Sequence, residues 1–207
     1  MPNATNGFKC IVMDPPWPES GGGKIKRGAD KHYDLIKSKE EILEVILLAY
    51  GINVPVGDGF TKIPMRAFSP DPLGAHLWVW VTNNYLPWGL WLMSALRFKY
   101  KTVFTWVKSN EEQSGLYKLD RPGLGQYSMG QSEQLLFGSR GVAMKPDSNM
   151  RPRTVIMAHR TKEHSEKPES AYTNVIERIS PEPRLEMFSR GMRLGWFHHG
   201  NQALSRA

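Results

Sequence analysis

The apolar positions of this chain fall into short β-prone runs separated by helix-spaced stretches. Cys10-Ile11-Val12-Met13 is a four-residue apolar run stopped by Pro15 and Pro16, the mark of a short buried strand. His76-Leu77-Trp78-Val79-Trp80-Val81 and Thr102-Val103-Phe104-Thr105-Trp106-Val107 read the same way, and further strands are expected at 134–137, 154–157 and 185–188. Between the first two runs, Ser38 followed by Glu41 forms a capping box ahead of Ile42, Leu43, Val45, Ile46 and Leu47, which predicts a helix over 39–50. Helices are also expected over 87–96 and over 168–179, where Pro168 sits in the first turn and Tyr172, Val175, Ile176 and Ile179 share one face. Strands alternating with helices imply an α/β chain built on a mostly parallel central sheet. Residues 18–32, with four glycines and many charges, and residues 139–153 read as flexible loops; residues 51–74, with four prolines and four glycines and no periodicity, read as an insertion.

Length and charge narrow the picture. A chain of 207 residues, 40% hydrophobic, fills one sizeable α/β domain spanning 1–207 rather than two. The net charge of +7 favours a polyanionic partner, and its distribution says more than its size. Lys24, Lys26, Arg27, Lys31, Lys37 and Lys39 cluster in one polar stretch, and Arg140, Lys145, Arg151, Arg153, Arg160 and Lys162 in another, so both read as basic segments able to hold phosphates. The single cysteine, Cys10, allows no internal disulfide and suits a reducing cytoplasm. Without a signal-like opening or a membrane-length apolar run, a soluble cytoplasmic protein is expected. The scattered histidines lack ligand spacing, so no metal is expected.

The most informative segment follows the first strand. Asp14-Pro15-Pro16-Trp17 places a carboxylate, two donor-free rigid residues and an aromatic face at the carboxyl end of a buried strand, where open α/β sheets bind ligands. This combination suits holding a flat base by its exocyclic amino group. The nitrogen lone pair of such a group is delocalised into the ring until its hydrogens are drawn out of plane. Asp14 can accept one N–H and the Pro15 carbonyl the other, while Trp17 can stack on the base. Two glycine patterns carry no such message. Gly23-Lys24 lacks the first glycine and the Ser/Thr of a P-loop, and Gly123-Leu124-Gly125 lacks the third glycine of a dinucleotide fingerprint.

The order of these pieces resembles the MT-A70 family of adenine N6-methyltransferases, of prokaryotic or phage type. The markers are Asp14-Pro15-Pro16-Trp17, the Tyr33 region before a capped helix, Trp80-Val81-Thr82, Trp106-Val107-Lys108, the Gly123–Gly141 block with Glu133, His164-Ser165-Glu166-Lys167-Pro168, Ile176-Glu177-Arg178, Glu186-Met187-Phe188-Ser189-Arg190 and Gly200-Asn201-Gln202. The resemblance implies a circularly permuted, Rossmann-like S-adenosylmethionine-dependent methyltransferase fold. It implies that Asp14, Pro15, Pro16 and Trp17 are catalytic, and that Asp14, Lys167, Glu186, Phe188, Arg190, Asn201 and Gln202 bind S-adenosylmethionine, Lys167 at the methionine carboxylate and Phe188 beside the adenine. Trp17, Tyr33 and Glu133 would contact the substrate base, and Lys24, Lys26, Arg27, Arg140, Arg151 and Arg153 its backbone. Two departures stand out: Ser132-Glu133 replaces a His-Glu pairing, and Met192-Arg193 replaces a polar pair. The implied partner is nucleic acid, DNA in preference to RNA, with a monomer or homodimer and no membrane or metal. RNA or free nucleotides as substrate, and a non-catalytic nucleic-acid-binding subunit, are the alternative readings.

Overall fold

The computed structural model describes residues 7–18, 37–50, 55–56, 59–60, 69–111, 117–122, 127–142, 144–160, 166–189 and 191–200. Strand β1 is Cys10–Met13, helix α1 Lys39–Ala49, and β2 (Pro55–Val56) and β3 (Gly59–Phe60) form a small hairpin inside the expected insertion. Then follow β4 (Gly74–Val81), α2 (Leu86–Ala95), β5 (Lys99–Glu111), β6 (Tyr117–Leu119), β7 (Ser132–Gly141) and β8 (Val155–Ala158). A helical segment comes next, made of α3 (Glu169–Ala171), a π-helical stretch (Tyr172–Ile176) and α4 (Glu177–Ile179), before β9 (Arg184–Met187) and β10 (Trp196–His199) close the series.

Eight strands form one sheet in the order β10-β9-β1-β4-β7-β5-β6, with β8 also on β5. Parallel ladders join β10, β9, β1 and β4, and β5 to β8; β7 runs antiparallel to both β4 and β5, and β6 to β5. The sheet is therefore mixed rather than mostly parallel, and the β7 ladders are its longest. A parallel return needs a long crossover, normally a helix. Among the described residues none lies between β5 and β7, so the chain comes back antiparallel.

Period-two alternation divides the core into two layers. Ile11, Met13, Leu77, Val79, Leu136, Leu185 and Met187 face α1 and α2, whose Ile42, Ile46, Leu92 and Met93 cover them. Cys10, Val12, Trp78, Trp80, Phe104, Trp106 and Leu135 face the other way, onto Ala171, Tyr172, Val175 and Ile176. Burial pushes the Cys10 thiol up to about 12, consistent with a core residue. From β1 the chain crosses over α1 to β4 on one side, and from β9 it passes to β10 on the other. The crevice between such divergent crossovers, at the carboxyl ends of β1 and β9, is where α/β sheets bind ligands. Among the described residues no helix is long and apolar enough to cross a membrane.

Candidate active site

Asp14 follows Val12 and Cys10 on the face of the second core layer, directly past the end of β1. The same alternation brings Lys108 above Trp106 on β5 and Glu133 above Leu135 on β7; because β7 is antiparallel, its first residues, Ser132 and Glu133, pair with Val107 and Trp106 in the later part of β5. Lys167 reaches in from the segment before α3. These four side chains form a row of alternating charge. Lys108 Nζ donates to Glu133 Oε1 at 2.6 Å, Lys167 Nζ donates to Glu133 Oε2 at 2.9 Å, and Lys167 Nζ lies 3.2 Å from Asp14 Oδ1. Their side chains are only 9–17% exposed. The two ammonium groups also lie over indoles, Lys167 at 5.6 Å from Trp80 and Lys108 at 5.0 Å from Trp106.

Burial alone would raise the Glu133 carboxyl, but Lys167 and then Lys108 outweigh it and hold it down at about 2. Burial likewise works against the Lys167 ammonium, and Asp14 and Glu133 reverse that, so its pKa stands above the ordinary lysine value. At neutral pH the row is a fixed ion pair network.

The turn after Asp14 crosses to the opposite core layer. Pro15 is buried, and its carbonyl takes the Trp17 backbone N–H at 2.8 Å with one lone pair left over. Trp17 does not offer the open stacking face expected of it. Its side chain packs in the α1/α2 core at 6% exposure, its indole N–H donates to the Trp80 carbonyl at 2.9 Å, and its ring stacks on Tyr85 with centroids 5.8 Å apart. An indole next to an apolar layer gains more from that burial than from standing in solvent, so Trp17 clamps the turn to β4.

At the neighbouring strand ends, the Tyr172 hydroxyl donates to Glu186 Oε1 at 2.6 Å, and His198 Nδ1 lies 3.6 Å from Glu186 Oε2. Burial raises the Glu186 pKa. Phe188 is half-buried against the first core layer, in the left-handed region at φ 61°, which turns the chain sharply off β9. The Arg193 guanidinium lies 3.6 Å from the Tyr172 ring centroid and pairs with Glu169, so the second member of the Met192-Arg193 pair pins the β9–β10 connection onto α3. A carboxylate-bearing cationic ligand suits this donor set, since a buried lysine and two carboxylates, Asp14 and Glu186, sit at adjacent strand ends.

The expected phosphate contacts divide. Arg140 pairs across the sheet with Ala75, four residues back from the Val79 that pairs with Met13 and so five back from the level of Asp14, which puts it at the far end of the strands, about 17 Å away at the usual strand rise. There it packs over Phe98 at 5.1 Å and donates to the Pro70 carbonyl. It is a structural residue, because a half-buried guanidinium at that end has an aromatic face and a carbonyl to hold it. Arg151 lines a groove with Thr102, Phe104, Phe137, Lys145 and Ile179, also away from Asp14. Arg153 is exposed just before β8, whose first residue pairs with Thr105, upstream of Lys108. At the site's own end stand Arg121 and Arg160, organised by the buried Asp120: Asp120 Oδ2 accepts the Arg160 backbone N–H at 3.4 Å, and the Arg160 guanidinium donates to the Arg121 carbonyl at 2.9 Å. Lys108 enters the sequence reading only within a family marker and Tyr172 only on a helix face, and Arg121 has no part in it; a charge one residue beyond the Thr102–Val107 run was the available signal for Lys108. Lys24, Lys26, Arg27, Tyr33, Arg190, Asn201 and Gln202 lie outside the described residues.

The family model described as MT-A70 matches residues 58–202, which takes in Lys108, Glu133, Lys167 and Glu186 and begins after the Asp14 turn. No curated protein matches the chain.

Proposed function

The chain belongs to the MT-A70 family of methyltransferases, and on that premise we propose that it methylates N6 of adenine in DNA through a pocket formed at Asp14 and Pro15. One observation carries this reading: the carboxylate that follows β1 is held by Lys167 at the same strand ends as Glu186 and Phe188. The strand directions around β1 and β9 support a permuted arrangement, with the base-facing turn early in the chain and the cofactor-facing strands late.

S-adenosylmethionine supplies an electrophilic methyl group when bound; among the described residues, Lys167, Glu186 and Phe188 would hold it. Asp14 and the free lone pair of the Pro15 carbonyl accept the two amino hydrogens of the adenine. They thereby localise the nitrogen lone pair on the reacting atom without reorganisation, which is the usual source of catalysis in such sites. Trp17 keeps that turn rigid from below, and the proton leaves to solvent. Arg121 and Arg160 flank the site and hold the backbone of a duplex from which the base is flipped.

The test is Asp14→Ala. Lys167 keeps Glu133 as partner and Glu186 remains for the cationic end of the cofactor, so the variant is expected to fold and to retain most of its S-adenosylmethionine binding by calorimetry while kcat drops about 10²–10³-fold or more. Labelled cofactor incubated separately with duplex DNA, single-stranded DNA, RNA and nucleotides then identifies the methylated base. Retained turnover in Asp14→Ala, or methyl transfer confined to RNA or nucleotides, would overturn the corresponding part of the proposal.

A further inference from the structure

Glu133 meets two lysines, one on each oxygen, and only Lys167 continues to Asp14. We propose that Lys108 is a positioning residue that, by occupying one oxygen of Glu133, leaves Lys167 available to the carboxylate of the cofactor. The inference rests on the methyltransferase reading above and assigns a residue that touches neither the base nor the cofactor.

The physical basis is charge sharing. Lys108, Glu133, Lys167 and Asp14 together are neutral, and all four side chains are largely buried, so the local dielectric is low and each pairing is strong. Lys108 is itself well anchored: its backbone N–H donates to the Gln131 carbonyl at 2.9 Å and its carbonyl accepts the Asp120 N–H at 2.9 Å. Its ammonium therefore meets Glu133 from a backbone position fixed within β5. Remove it, and the whole carboxylate charge falls on Lys167. The remaining triad carries a net negative charge, and Lys167 is drawn toward Glu133. Both changes disfavour a ligand carboxylate at Lys167. A ligand without a carboxylate feels neither.

The experiment compares two probes on the full chain. Binding of S-adenosylhomocysteine and of 5′-methylthioadenosine, which lacks the amino-acid end, is measured by calorimetry for wild type, Lys108→Met and Lys108→Arg. Lys108→Met is expected to weaken S-adenosylhomocysteine about tenfold or more, the usual scale for a charged hydrogen bond, and to leave 5′-methylthioadenosine unchanged. Lys108→Arg is expected to restore the loss, since a guanidinium also occupies the Glu133 oxygen. Equal weakening of both probes would mean a merely structural lysine and would overturn the proposal, as would unchanged binding of both. If Lys108→Met does not fold, Lys108→Arg and Lys108→Gln carry the same comparison. A wild-type chain that binds neither probe would remove the methyltransferase reading itself, an outcome distinct from a failure at Lys108.

Discussion

At Glu133, two lysines divide one carboxylate, and that pairing sets the acid behaviour of this side chain. Its folded pKa is about 2 against an ordinary 4.5, so between those values the unfolded chain takes up a proton that the folded chain refuses. The stability it contributes is complete above about pH 4.5 and is lost as the pH falls toward 2. In Glu133→Gln the unfolding free energy, followed by urea denaturation across that window, is expected to depend less steeply on pH than in wild type; equal slopes would contradict the ion pair assignment. Asp14 and Lys167 were legible as separate candidates because each sits in a short motif. Their pairing was not, because 153 positions separate them along the chain and only the fold brings Lys167 to the end of β1.

Among the elements, α1 was readable because its signals are local: Ser38 Oγ accepts the Glu41 N–H at 3.1 Å and Glu41 accepts the Lys37 N–H at 2.9 Å, a capping arrangement written in adjacent residues. The helix after Pro168 also stands where its spacing predicts, but its middle widens into a π-helix at Tyr172–Ile176, where Tyr172 commits its hydroxyl to Glu186 on another element. Strands β6 and β10 went unread because they are three and four residues long and owe their existence to a neighbour. The join between the last helix and the sheet is Ser180. Its hydroxyl accepts the Trp78 indole N–H at 2.8 Å and bonds His76 Nδ1 at 2.9 Å, and burial holds the His76 imidazole down at about 4. Ser180→Ala leaves these buried groups without that partner and is expected to cost about 1–3 kcal/mol in chemical denaturation, with no change in fold. A loss below a few tenths would show that the hydroxyl is dispensable.

Across the whole molecule the net charge is +7, and among the described residues basic side chains stand at both ends of the sheet, Arg140 at one and Arg121 and Arg160 at the other, the end that carries Asp14. Reversing Arg121 and Arg160 together is expected to weaken DNA binding and to lower the slope of log affinity against log salt by about one per lost phosphate contact, whereas reversing Arg151 and Arg153 leaves the slope nearly unchanged. The opposite ranking, measured by titration at several salt concentrations, would move the nucleic-acid path to the other end. The chain's sequence alone determined the strands and helices with local signals, the carboxylate-proline turn after β1 and the family, because capping, periodicity and short motifs act between near neighbours. The tertiary structure decided the rest. Strand direction put Glu133 beside Lys108, the crossing of the turn buried Trp17 instead of presenting it, and register carried Arg140 to the far end. Each depends on which distant segments share a face, and that is settled by burying two apolar layers on one sheet at once.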